Sequence, residues 1–251
     1  MLPILLGRAT KIAKLLTKAG KEYVGVLYLH GEVTDKELFS AFEEFTGLIF
    51  QRPPIKSTVK RRLRTRRIHR IEFIERHDRY VLLKMSVEAG TYIRKLFHDI
   101  GEFLGCGASM RELRRIRAGP LTEDDSITLQ ELEKSVLMWE ESGDDLYIRE
   151  KILPLETVVS PILPKIIVKD TAVAAIAHGA SVKAPGICSF SKMIGRGSLV
   201  GVFTLKGELI ALARAVVSSE ELIQLDRGIV AEPIRVIMGR KLYPLLWKKD
   251  E

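Results

Sequence analysis

"VEAGTYIRKLFHDIG", residues 87–101, changes its period halfway along. Upstream of it and into it, Val81, Leu83, Met85 and Val87 alternate with Lys84, Ser86 and Glu88, the two-residue repeat of a half-buried strand. Gly90 breaks the alternation. Beyond it Ile93, Leu96, Phe97, Ile100 and Leu104 recur every three or four residues, the apolar stripe of an amphipathic helix. Strand then helix, without strict βαβ repeats elsewhere, predicts a mixed α+β domain. Arg94 falls early in this helix, at the electropositive end, a poor place for a cation unless an anion is near. Spacing leaves two readings open: a surface arginine of an amphipathic helix, or an arginine holding a carboxylate or phosphate in a cleft through its planar fork.

On the N-terminal side, Ile12, Leu15, Leu16 and Ala19 predict a helix stopped at Gly20, and EYVGVLYL (22–29) a strand. A second helix is expected in TDKELFSAFEEFTG (34–47), with a Thr34–Glu37 capping box. QRPPIKS (51–57) predicts a rigid loop, and RIEFIE (70–75) a strand pairing with residues 79–88. On the C-terminal side, a helix is expected after GCGA (105–108), capped by Ser109 with Glu112 and ended at Gly119-Pro120, and another from Thr128 to Trp139. PLETVVSPILP (154–164), with its three prolines, predicts a domain boundary, giving domains 1–160 and 161–245. In the second, Asp170 is expected to cap a short helix, TAVAAIAH, and SLVGVFTLKGELIALARAVV (198–217) to form two strands around a Lys206-Gly207 turn of a small β-barrel.

Composition narrows the function. The 251 residues, 46% hydrophobic and 29% charged, contain no apolar run of membrane-spanning length, and the N-terminus lacks the basic segment of a signal peptide, so a soluble, cytoplasmic protein is expected. Cys106 and Cys188 lie far apart and belong to no CxxC or Cys/His cluster, so neither a disulfide framework nor a metal site is indicated. The net charge is +8, and residues 56–70 alone carry eight Lys or Arg and no acid, whereas 120–156 carries eleven acids against Lys134, Arg149 and Lys151. Such a run suits a polyanion, and arginine over lysine suits phosphate; the alternative is a solvated basic loop. The candidate RNA contacts in the run are Lys56, Lys60, Arg61, Arg62, Arg64, Arg66 and Arg67, with Arg114, Arg115 and Arg117 as a second group around Leu113. Tyr23 opens the first strand, where it is either a boundary core residue or an aromatic that stacks on an unpaired base. No Ser/His/Asp arrangement, phosphate-binding glycine loop or HExxH is present, so residues and spacing reach a two-domain nucleic-acid-binding protein and name no reaction.

Taken in order, LGRATKIAKLL (6–16), GKEYVGVLYLHG (20–31), QRPPIKSTVKRRLRTR (51–66), VEAGTYIRKLFHDIG, GASMRELRRIRAGP (107–120), DTAVAAIAHGASVKAPGI (170–187) and GSLVGVFTLKGELIALARA (197–215) resemble the TruB family of pseudouridine synthases. The likeness is closest to the dyskerin-like archaeal and eukaryotic branch, the catalytic subunit of H/ACA ribonucleoproteins, which ends in a PUA RNA-binding domain. It implies isomerisation of uridine in RNA without metal or organic cofactor, on a nucleotide flipped from its stack. The substrate it implies is the tRNA TΨC loop or an H/ACA guide RNA with its rRNA target, with small protein partners. By motif position, Tyr23 matches the base-stacking tyrosine, Arg94 the arginine that pairs with the catalytic aspartate, and Leu113 the apolar wall of the uracil pocket. His178 and Lys183 fall in the PUA-like segment expected to grip RNA. The family carries its nucleophilic aspartate in a TLDP-like segment shortly before LGRATK; here the text reads MLPILLGRATK and no aspartate occupies that position. Two explanations follow: a start-site artefact, Met1 standing where relatives often have Val, or a genuine fragment or degenerate paralogue that binds RNA without isomerising it. Either way the catalytic sheet is expected to have an exposed edge. A DNA-binding regulator is disfavoured by the lack of a helix-turn-helix pattern.

Overall fold

Two separate hydrophobic cores divide the chain in the computed structural model, which describes residues 1–53 and 60–244. One unit comprises Met1–Ile4 and Lys14–Ser126, the other Leu5–Ala13 and Ile127–Glu251.

In the first unit the order is α1 (Ala13–Lys18), β1 (Lys21–Leu29), α2 (Asp35–Glu44), β2 (Gly47–Gln51), β3 (Arg64–His77), β4 (Tyr80–Val87), α3 (Ile93–Phe103), β5 (Ala108–Ala118) and β6 (Leu121–Thr122). The strands form one antiparallel sheet in the order β2-β3-β4-β1-β5-β6. The alternation predicted for β4 is met: Val81, Leu83, Met85 and Val87 are buried, together with Leu27 and Leu29 of β1. Leu38, Ala41 and Phe42 of α2 and Ile93, Leu96, Phe97 and Ile100 of α3 complete that core, each large side chain contributing about 1.5–3 kcal/mol. The Thr34–Glu37 capping box starts α2 as its spacing requires.

The helix expected after GCGA is a strand. MRELRRIR is composed of good helix formers, but β1 has β4 on one side only, and residues 108–118 complete its other side. Gly105 and Gly107, both at φ +71, turn the chain back, and Gly101 lets α3 touch the start of β5: a Cβ there would lie 2.1 Å from the Ala108 nitrogen. Outside β6, which pairs only with Arg117 and Ala118, the outer side of β5 has no strand partner among the described residues. Part of the basic run also lies in β3, against β2, for which no element was predicted. The pattern of β2 is inverted, with Leu48 and Phe50 exposed and Gln51 buried, so it does not read as a core strand.

The second unit contains α4 (Leu129–Ser142), α5 (Leu146–Lys151), α6 (Leu155–Ile162), β7 (Lys165–Val168), α7 (Asp170–Ala177), β8 (Val182–Lys183), β9 (Ile187–Phe190), β10 (Leu199–Phe203), β11 (Leu209–Ala215), α8 (Ser219–Ile223) and β12 (Ile229–Val236). Its sheet runs β8-β12-β11-β10-β7-β9, mixed because β7 and β10 are parallel. The strands expected around Lys206-Gly207 are β10 and β11. Two details differ from expectation. Residues 155–162 are helical despite Pro161, which sits in the last turn, and Glu156 Oε1 accepts the Leu209 N–H at 2.7 Å. Asp170 is the first residue of α7 rather than its cap; the N-cap is Lys169, whose side chain does not cap the helix and instead donates to the Pro185 carbonyl at 2.8 Å.

Candidate active site and RNA-binding surfaces

Tyr23 and Gly25 lie two residues apart on β1 and so share a face of the sheet, the one that α3 covers. Leu113 of β5 stands opposite Gly25, and Arg115 opposite Tyr23. A Cβ on Gly25 would meet Leu113 Cδ1 at 3.0 Å and Phe97 Cζ at 3.3 Å, so the missing side chain is the slot that lets Leu113 and α3 close over the strand. Tyr23 is half-buried against this core, and among the described residues its hydroxyl makes no hydrogen bond. Leu113 is 37% exposed, leaving apolar surface for a flat ligand.

Arg94 is the second residue of α3. The helix has no acid in its first turn and its N-cap, Tyr92, supplies no side-chain cap. The Arg94 side chain is exposed, and among the described residues it has neither ion pair nor hydrogen bond. Asp99, the nearest acid on the helix, is taken by Lys95 and lies 3.7 Å from His98 Nδ1. Arg94 lines a cavity of about 1040 Å³ in which Arg52, Arg61 and Lys95 join it against Glu44 and Asp99, with Leu48, Phe50 and Phe103 supplying apolar wall. Tyr23 and Leu113 do not line that cavity; the helix residue nearest their part of β1 is Phe97, which closes on Gly25 three residues and about 4.5 Å of rise beyond Arg94. The sequence missed one further polar side chain near this turn, Gln51, and expected Arg66 on an RNA-facing surface, whereas its Nε is buried; neither strand pattern gave a sign of polar burial.

The basic residues are not equivalent in their surroundings. Lys56 lies outside the described residues. Lys60, Arg61, Arg62 and Arg67 are exposed, while Arg64 is half-buried and donates to the Lys60 carbonyl at 3.3 Å. Arg66 is 19% exposed and only 3.9 Å from Glu88. On β5 the arginines already have partners: Arg114 pairs with Glu123 at 2.6 Å, Arg117 with Glu22 at 2.7 Å, and Arg115 donates to the Met1 carbonyl at 2.9 and 3.1 Å. Pairs this exposed are weak, so a phosphate can compete for the same donors. Burial, and then the charge of Arg115, push the pKa of Lys21 down. In the second unit, exposed His178 closes α7 with Nδ1 2.7 Å from the Ala174 carbonyl, and exposed Lys183 lies on β8. Among the described residues no cluster of His, Cys, Asp and Glu could hold a metal ion, and no helix is long and apolar enough to cross a membrane.

An antiparallel six-stranded sheet packed with helices, followed in sequence by a second unit built on a mixed sheet, is the class that this fold defines, and comparison with known proteins gives the family. The tRNA pseudouridylate synthase B C-terminal domain matches residues 94–160, a PUA domain residues 164–237, and the Pus10 C-terminal region residues 6–119. "Probable tRNA pseudouridine synthase B" of Korarchaeum cryptofilum is 56% identical over 248 residues, 99% of this chain and 76% of the relative; that of Methanosarcina barkeri is 50% identical over 251 residues, 100% of this chain and 74% of the relative. Among solved structures, an H/ACA RNP bound to a substrate RNA containing 2′-deoxyuridine superposes with a TM-score of 0.89 at 44% identity, covering 96% of this chain and 73% of that one. A Cbf5-Nop10-Gar1 complex superposes with a TM-score of 0.88 at 47% identity, covering 95% and 73%. The chain belongs to the TruB and dyskerin-like family of pseudouridine synthases, with a C-terminal PUA domain.

Proposed function

We propose that the chain forms the uridine-binding and RNA-binding parts of a synthase that isomerises uridine to pseudouridine, in the TΨC loop of tRNA, at guide-directed sites of rRNA within an H/ACA ribonucleoprotein, or both. In that reaction the bond from the base nitrogen to ribose breaks and one from a base carbon forms, the carbon losing a proton while the nitrogen gains one, so nothing is oxidised or reduced. Tyr23 stacks on the flipped base, Leu113 walls the uracil pocket, and Arg94 holds the attacking carboxylate. The observation that carries this reading is Arg94, a cation in the first turn of α3 that has no anionic partner among the described residues and lines a net-positive cavity. The basic run, with Arg114, Arg115 and Arg117, takes the phosphates around the target. His178 and Lys183 of the PUA domain hold the guide or the tRNA body. The relatives solved with Nop10 and Gar1 support small protein partners for this chain, and we place it in the cytoplasm, with domains at 1–160 and 161–245.

The 251 residues contain no aspartate at the family's TLDP-like position, so this polypeptide by itself is expected to bind RNA and leave uridine unchanged. The test compares it with the same chain carrying that segment from a relative, on tRNA and on guide RNA with its target and partners. Conversion only by the extended chain supports the proposal. Conversion by neither supports the second reading, a non-catalytic RNA-binding fragment or paralogue.

A further inference from the structure

Gln51, the last residue of β2, is 2% exposed. Its side-chain amide is used at both ends on a single residue 41 positions away: Nε2 donates to the Tyr92 carbonyl at 3.2 Å, and Oε1 accepts the Tyr92 N–H at 3.0 Å. An amide carries a donor and an acceptor side by side, so it pairs with a backbone residue as a strand neighbour would. Tyr92 immediately precedes α3, and its carbonyl also accepts the first helical hydrogen bond, from the Leu96 N–H at 3.0 Å. Gln51 therefore grips both backbone groups of the residue from which the helix starts, and Arg94 stands two residues further on.

The rest of that turn is tied to the same hairpin. Glu88 donates its N–H to the Arg67 carbonyl at 2.8 Å and accepts the Arg67 N–H on Oε2 at 2.9 Å. The Arg66 guanidinium lies under Gly90, where a Cβ would come within 3.1 Å of Nη2, and Arg66 Nε is buried without a hydrogen-bond partner among the described residues.

We propose that Gln51 is a positioning residue for the isomerisation: its buried amide sets the first turn of α3 and through it the direction of Arg94. This rests on the role given to Arg94 above. A small misplacement of a group that must meet a developing charge is costly in rate, on the order of 10²-fold for about 1 Å.

The test uses the chain extended by the aspartate-bearing segment, with saturating RNA and single-turnover kinetics. Gln51→Met, of similar length and unable to make either hydrogen bond, is expected to lower the rate roughly 10- to 100-fold while RNA affinity stays within about threefold. Gln51→Glu mimics the amide only when its carboxyl is protonated, so its rate relative to wild type is expected to be highest at the acid end and to fall as the carboxyl ionises. Both variants within about twofold of wild type, or rate lost only in step with RNA affinity, overturns the proposal. Arg94→Ala run beside them separates the two claims. An intact rate in R94A sinks the site reading, whereas an inert R94A with an unaffected Q51M sinks only the role of Gln51. Amide exchange on the 251-residue chain needs no turnover. The Tyr92 N–H should exchange at least about 10-fold faster in Q51M while the Leu83 N–H in β4 is unchanged, and equal protection at Tyr92 overturns the clamp whatever the enzyme does.

Discussion

Arg94 is a cation where the helix dipole disfavours one, and its exposed side chain lines a cavity. Removing it from the aspartate-bearing chain should slow turnover by about 10²- to 10³-fold with little change in RNA affinity, as read by single-turnover kinetics beside filter binding. Lysine should not restore the rate, because a point charge lacks the planar fork that two carboxylate oxygens fit. Gly25 is a different kind of requirement, one of space. Gly25→Ala would press on Leu113 Cδ1 at 3.0 Å, the Glu112 carbonyl at 3.2 Å and Phe97 Cζ at 3.3 Å. Urea denaturation should show a drop in stability of about 1–3 kcal/mol. The motif that marks Arg94 is local and readable, whereas the slot at Gly25 depends on residues of β5 and α3 far along the chain.

At the scale of single elements, the capping boxes are both the most legible features and a source of pH dependence. Glu37, Glu131 and Glu221 are held below the ordinary glutamate value of 4.5: Glu37 chiefly by the Thr34 hydroxyl, Glu131 and Glu221 chiefly by the backbone N–H groups of Thr128 and Ser218. A carboxylate whose pKa is lower folded than unfolded stabilises the fold above the unfolded value and stops doing so as pH falls through the folded one. The thermal midpoint should therefore drop on going from about pH 5 to about pH 3. Thr128→Ala, which removes the cap of α4, should cost about 1 kcal/mol near neutral pH by urea denaturation. β5 was the element least legible: its composition favours a helix, and only β1, reaching it across the sheet, makes it a strand. Gly101→Ala, which would force a Cβ into the Ala108 backbone, tests that packing; we expect destabilisation by about 3 kcal/mol or more, visible as a collapsed denaturation midpoint.

Across the whole chain, charge is divided by segment: the excess of +8 equals the count of basic residues in 56–70, and the acids gather in 120–156. RNA affinity should fall steeply with salt, and Arg61→Ala with Arg62→Ala should flatten the dependence of log K on log salt by about 0.7 for each single-strand phosphate that the protein then leaves unneutralised. Binding isotherms across a salt series check this; an unchanged slope would place the phosphates elsewhere. Charge density was legible because it needs no partner to be seen. The engagement of Arg114 with Glu123 and Arg117 with Glu22 was not, since those pairs form only when β1, β5 and the turn after it come together.

The sequence by itself determined what depends on neighbours in the chain: the alternation of β4, the apolar stripe of α3, the caps of α2 and α4, the basic run, and the ordered motifs that mark the family. Tertiary structure alone decided that residues 108–118 are a strand, that β2 turns Leu48 and Phe50 outward and buries Gln51, and that Gln51 meets Tyr92. The reason is that periodicity records which face of an element is apolar, whereas a ladder hydrogen bond or a buried amide is satisfied by a partner tens of residues away, which no local pattern specifies.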